Sequence, residues 1–191
     1  PRKSYWRGSL LARYTLAQDK PMPDTYRPVT DAEALGEPFG SEAAEAWTKF
    51  AEACDKAGLS TPEAGAEAVA AIKTAFAFSD FVRKKAVQAP DLLTDLLAAG
   101  DLAASHTAEG YAEKARAVCE AAESEAELLN ALRRLRHREM LRIAVRDLAG
   151  RADLFETMRE MSHLAEAVID ATVSRLFQWM QEGFGSPADA E

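Results

Sequence analysis

The stretch ALRRLRHREMLRIAVRDLAG, residues 131–150, restricts the fold more than any other part of the chain. It reads as the body of one helix that starts at a Ser124/Glu127 capping box and runs to Gly150. At 100° per residue, Leu128, Leu132, Leu135, Met140 and Ile143 fall within roughly 140° of one another. Leu141, Val145 and Leu148 lie on the other side. A helix that is apolar on two faces has to be sandwiched between neighbours. Glu139 sits inside the first apolar stripe, where an unpaired carboxylate is costly. Arg136 and Arg142 stand three residues to either side of it, and Arg146 lies seven residues on. All seven basic residues of 131–151 are Arg, although the chain has eight Lys elsewhere. The planar guanidinium can hold a carboxylate through two hydrogen bonds, so this choice favours geometric pairing over simple solubility.

Charge distribution points the same way. The chain of 191 residues carries a net charge of -8, yet residues 131–151 hold seven arginines against Glu139 and Asp147, a local balance of +5. Residues 21–130 sum to -11 and residues 152–191 to -6. Acid flanks the basic helix on both sides, so its arginines have partners available within the molecule. A nucleic-acid-reading helix would need an exposed polar face and a short helix–turn–helix setting, which argues against nucleic acid as a partner. No apolar run approaches the roughly 20 residues of a membrane helix. Cys54 and Cys119 lie far apart with no CxxC context, which favours a reducing compartment, and a cytoplasmic location is expected.

Elsewhere the pattern is helical almost throughout. Residues 1–41 are rich in Pro and Gly towards their end and read as an irregular, partly disordered segment. A helical domain is expected over 42–183 and a linker over 184–191. Ser41 is a candidate N-cap, with Ala44, Trp47, Phe50 or Ala51, and Cys54 inward and Gly58 as the stop. Pro62 fits the first position of an alanine-rich helix with Val69, Ile72 and Phe76 inward. Ser79 and Pro90 start two short helices, the first held by Phe78 and Phe81 and the second burying Leu93, Leu96 and Leu97. A helix over roughly 107–122 comes next. The last helix begins near Asp153, where Glu156 offers a second capping box, and Met158, Met161, Leu164, Val168 and Leu176 read as its core stripe. Gly183, Gly185 and Pro187 end it, and Met158, Met161 and Met180 are taken as core spacers. No stretch reads as a strand. The fold class is all-α, an irregular bundle of about six or seven helices.

No self-contained active site emerges. His106, His137 and His163 are widely spaced, and neither a Walker lysine loop nor a G-x-G-x-x-G is present. No catalytic, cofactor-binding or metal-binding residue is assigned. The residues of interest, as structural or interface positions, are Arg133, Arg134, Arg136, Arg138, Glu139, Arg142, Arg146 and Asp147.

The segment LRRLRHREMLRIAVRDLAG resembles the one that precedes the catalytic core in the bifunctional glutamine synthetase adenylyltransferase/adenylyl-removing family. Three more segments agree in order: FAFSDFVRKKAVQAPDLLTDLL, MSHLAEAVIDATVSRLFQWM and GFGSPADAE. Together they cover about residues 76–191, and FSDFV favours the amino-terminal, adenylyl-removing half. The resemblance implies a nucleotidyltransferase core in cis, with paired aspartates that would hold Mg and the phosphates of ATP. That core, with its GKLGG and SSDxD patterns, is absent from this chain, so no cofactor is expected here and the piece alone is expected to be inactive. The implied partners are that core, glutamine synthetase and the PII signal protein. The implied chemistry is AMP transfer from ATP to a tyrosine, and its phosphorolytic removal to give ADP. A second reading is a regulatory module that contacts glutamine synthetase or PII through the arginine-rich helix.

Overall fold

A computed structural model describes residues 36–60 and 65–185. The described residues form seven helices and no strand. They are α1 (Phe39–Lys56), α2 (Ala66–Phe78), α3 (Asp80–Gln88), α4 (Pro90–Ala99), α5 (Ala108–Ala121), α6 (Glu125–Leu148) and α7 (Leu154–Phe184). The all-α irregular bundle expected from the periodicity is what the described residues adopt. Residues 1–35 of the irregular segment expected over 1–41, Pro62, and residues 186–191 of the expected linker lie outside the described residues.

Local start and stop chemistry explains most boundaries. The Ser79 hydroxyl accepts from the Val82 amide and caps α3. Pro90 opens α4, where its missing N–H costs nothing. Ser124 caps α6 by accepting from the Glu127 amide, and the Glu127 carboxylate accepts from the Glu123 amide, one residue outside the usual reciprocal box. Two expectations shift. Helix α1 begins at Phe39, behind Pro38, so Ser41 lies within its first turn and donates to the Pro38 carbonyl at 2.9 Å instead of capping. Asp153 caps α7 through the Glu156 amide, but the Glu156 carboxylate is drawn away to Arg146, so the second capping box is half formed. Gly183 stays inside α7, and the helix stops at Gly185.

The core has two parts, with α6 between them. On one side Leu141 and Val145 pack with Phe50, Ile72, Phe76, Leu93 and Leu96 from α1, α2 and α4. On the other, Leu135 and Ile143 pack with Tyr111 and Ala115 of α5 and Leu164 and Ala167 of α7. Leu128 extends this second side beside Cys119 and Ala122. Helix α6 packs against α2, α3, α4, α5 and α7, while α5 lies along α7. The two apolar faces read from the sequence are therefore both used. Cys54 and Cys119 are both buried, and they form no disulfide with one another.

Three stripes are not placed as expected. In α1 the buried residues are Ala43, Ala46, Phe50 and Cys54, and Ala44 is exposed. Phe78 and Phe81 are substantially exposed; Phe78 stacks on Phe39 rather than anchoring in the core. In α7, Met158 and Met161 are 52% and 45% exposed, and Leu176 and Met180 are exposed as well. The side of α7 turned inward carries Glu160, Leu164 and Ala167. The reason is that α7 has more apolar residues than one face can hold, and the face that meets the core is the one bearing the carboxylate.

The turn after α4 directs the chain towards α5. Gly100 adopts φ +69°, its amide bonds to Leu97 O, and the Asp101 amide reaches back to Leu96 O. A Cβ at Gly100 would meet nothing within 4 Å. Gly100→Ala therefore tests backbone strain alone, and is expected to cost about 1–2 kcal/mol in chemical denaturation.

Candidate functional site

The arginines of α6 that point inward build a closed network of charges. Its hub is Arg142, which is fully buried. The Arg142 Nε donates to Glu139 Oε2 at 3.1 Å, one turn back on the same helix. Its Nη2 donates to the Tyr111 hydroxyl of α5 at 2.9 Å and makes a close ion pair with Glu160 of α7. Its Nη1 donates to Ala104 O at 2.8 Å in the segment between α4 and α5. One guanidinium thus joins two helices, a connecting segment and its own helix.

The two buried carboxylates are fully used. Glu139 Oε1 accepts from Arg138 Nη1 at 2.7 Å and from Lys114 Nζ at 3.0 Å. Glu160 Oε1 accepts from the His106 amide at 2.6 Å, and its Oε2 also accepts from the Tyr111 hydroxyl at 3.2 Å. Around this centre Arg138 spans Asp95 at 2.5 Å and Asp101 at 2.7 Å. One helical turn further on, Arg146 donates to Leu102 O at 3.0 Å, to Arg151 O at 3.2 Å and to Glu156 Oε1 at 2.6 Å.

Electrostatics match the geometry. Burial pushes the Glu160 carboxyl up, but the hydrogen bonds from Arg142 and the His106 amide outweigh it and hold the group below its ordinary value. Asp101 is likewise held low, because Arg138 and Lys114 overcome its burial. Burial, aided by repulsion from Arg142 and Lys114, pushes the His106 imidazole down and keeps it neutral. Lys114 Nζ lies 3.1 Å from His106 Nδ1, which assigns Nδ1 as acceptor and Nε2 as the protonated nitrogen. Burial raises the Tyr111 phenol, so it remains a donor to Glu160.

The expected residues separate into three groups. Arg138, Glu139, Arg142 and Arg146 enter the network. Arg133, Arg134 and Arg136 are exposed, and of these Arg134 pairs with Asp91 at the surface. Asp147 receives the Thr157 hydroxyl at 3.1 Å rather than an arginine. Arg136, expected beside Glu139, lies on the outer face, and Arg138 and Lys114 take its place. Tyr111, Glu160, His106 and Asp101 join the network without a sequence signal that pointed to them as a group. Glu160 alone carries one, because it is in helical phase with Leu164 and Ala167.

Other candidates resolve simply. Arg83 of the RKK run clasps Glu42 at 3.1 Å, Asp80, and Phe76 O at 2.8 Å. Among the described residues, no three His, Cys, Asp or Glu come together in a way that could hold a metal ion. No described helix is long and apolar enough to cross a membrane.

Fold and network define an all-α helical module whose buried charges are spent on joining its own helices. Residues 69–191 match the family model for glutamate-ammonia ligase adenylyltransferase. The chain belongs to that family. It is similar to proteins named bifunctional glutamine synthetase adenylyltransferase/adenylyl-removing enzyme. The relative from Thioalkalivibrio sulfidiphilus is 38% identical over 145 residues, which cover 74% of this chain and 14% of that protein. The one from Nitrosococcus oceani is 34% identical over 139 residues, covering 73% and 14%. The one from Pseudomonas syringae is 33% identical over 163 residues, covering 83% and 16%. The chain thus spans a small part of the length of the curated relatives it matches. No solved structure gives a significant match.

The network makes two outcomes measurable. Glu139→Ala removes a fully buried carboxylate and leaves Arg142, Arg138 and Lys114 short of a partner. Removing one member of a buried pair costs roughly 3–5 kcal/mol, so the melting temperature should drop clearly; an unchanged melt contradicts the burial. The second outcome concerns acid. The folded values of His106, Glu160 and Asp101 all lie below their ordinary 6.5, 4.5 and 3.8, so the unfolded chain binds protons first. Stability is then greatest above about pH 6.5, and falls first through His106 and next, below about pH 4.5, through the carboxylates. Melting temperatures between pH 7 and pH 4 should decline monotonically, and a flat profile contradicts the linkage.

Proposed function

We propose that this chain is a helical scaffold of an enzyme that attaches AMP to glutamine synthetase and removes it again. The catalytic centres belong to a nucleotidyltransferase core held in cis, and Mg, ATP and phosphate act there. The observation that carries this reading is the inward commitment of the arginine helix. Arg138 and Arg142 spend their donors on Glu139, Glu160, Asp95, Asp101 and the Ala104 carbonyl, and Arg146 turns both Nη groups onto Glu156 and the Leu102 and Arg151 carbonyls. A guanidinium occupied in this way holds helices together and is not available to a nucleotide phosphate. Family membership supports the reaction class, and the name of the relatives supports glutamine synthetase as the substrate. The PII protein as regulator and the cytoplasm as location belong to the same proposal, on the strength of the family resemblance alone.

The regulatory-module reading draws on Arg133, Arg134 and Arg136, which are the exposed remainder of the arginine helix. It gives Arg133 and Arg136 a partner outside the bundle, beside the surface pair of Arg134 with Asp91. The scaffold reading does not need them.

A direct test uses glutamine synthetase, Mg and radiolabelled ATP. The 191-residue chain alone should transfer no label. The Thioalkalivibrio sulfidiphilus relative lacking the region matched here should lose at least tenfold of its activity, and added chain should restore part of it. Label transferred by the chain alone, or full activity without the region, contradicts the scaffold role.

A further inference from the structure

Among the described residues, none covers one long side of helix α7. It has 31 residues, so it runs about 46 Å. Its inward side, with Glu160, Leu164 and Ala167, packs on α5 and α6. The opposite side carries Met158, Met161, Ile169, Val173, Leu176 and Met180, all exposed, with Ile169 and Val173 at 61% and 60%. At 100° per residue these six fall within roughly 120° of one another, on one face of the helix, which Phe184 extends to the end of α7 at 89% exposure. Solitary exposed apolar residues are ordinary, but a continuous stripe of them is not.

Size and charge narrow the occupant. A strip as long as α7 and roughly 10 Å wide covers about 450 Å². That is the scale of a functional patch on a small domain. It falls short of the roughly 800 Å² per partner of a stable free-standing complex. Such a surface suits a neighbour held by a covalent connection, whose effective concentration is high. A second copy fits less well. Pairing two α7 faces about a two-fold axis near Ile169 would bring Glu166 and Asp170 of both copies together, in a segment whose formal balance over 152–191 is -6. The family match runs from residue 69 through residue 191, beyond the end of α7. In the relatives the matched region is 14–16% of the length, so most of each relative lies elsewhere and is available to cover this face.

We infer that the exposed apolar face of α7 is the seat of the nucleotidyltransferase core, which lays an apolar surface along Met158 to Met180. This rests on the scaffold reading above and adds to it the surface through which the scaffold acts. The basic outer face of α6, with Arg133 and Arg136, takes no part in this contact.

The test is a binding titration between the 191-residue chain and the Thioalkalivibrio sulfidiphilus enzyme lacking the matched region. The wild-type chain should bind measurably but weakly, as a contact this small does once its covalent connection is cut. Ile169→Glu/Val173→Glu should melt like the wild type, because both side chains are already in water, yet bind at least tenfold more weakly. Arg133→Glu should bind like the wild type. Equal binding by the double variant overturns the assignment. So does a wild-type dimer that the double variant dissolves without any binding to the shortened enzyme. Loss of binding to glutamine synthetase alone overturns it too, since the face would then receive the substrate. If the shortened enzyme is insoluble alone, coexpression and copurification of wild-type against variant chain decide the matter. The scaffold reading fails separately, if the wild-type chain binds the shortened enzyme but restores no adenylyl transfer.

Discussion

The bundle depends on one guanidinium. Arg142 has no contact with water, yet it carries a full charge into the middle of the molecule. Such a charge is tolerable only if every donor finds an acceptor of the right sign and geometry. Glu139, Glu160, Tyr111 and the Ala104 carbonyl supply those acceptors from four directions. Their positions in turn require α5, α7 and the segment between α4 and α5 to sit where they do. Apolar packing favours many near-equivalent arrangements of helices, whereas a buried ion group with directional bonds favours one. The network therefore acts mainly on uniqueness of packing, and only secondarily on net stability.

That constraint explains the division of labour along α6. Its Leu141 and Val145 face holds α2, α3 and α4 by ordinary burial. The other face holds α5 and α7, where the apolar contact is smaller and Leu164 and Ala167 are the buried apolar residues of α7. A 31-residue helix with so little buried apolar surface needs another source of order. Arg142 with Glu160 and Arg146 with Glu156 provide it near the start of α7, and Arg175 adds a bond to Ala122 O further along. With its inward side fixed by charge, α7 can leave its apolar side free for another body.

The part of this arrangement that is local in sequence was legible from sequence. Helix geometry alone places Glu139 among leucines and gives α6 two apolar faces. The caps at Ser79, Ser124 and Asp153 follow from residue chemistry within three positions. What was illegible is what arrives from far along the chain. Lys114 lies 25 residues from Glu139, and the His106 amide lies 54 residues from Glu160. Periodicity carries no information about such meetings. It assigned Arg136 to Glu139 because it is near in sequence, while the fold brought Arg138 and Lys114 instead. It assigned Met158 and Met161 to the core because they are apolar and well spaced. On a helix with two apolar sides, spacing cannot say which side meets the core. Here the answer lay with a charge, because Glu160 marks the inward face by needing Arg142.

A double-mutant cycle on Arg142→Met and Glu160→Gln, read by chemical denaturation, tests the dependence of the bundle on this buried pair most directly. If the bundle is organised around the pair, each single substitution should be strongly destabilising and the double variant far milder than their sum. Coupling should then lie in the upper part of the roughly 0.5–3 kcal/mol seen for residues in one network. Additive effects, within about 0.5 kcal/mol, would mean that the two groups do not depend on one another and that packing alone sets the fold.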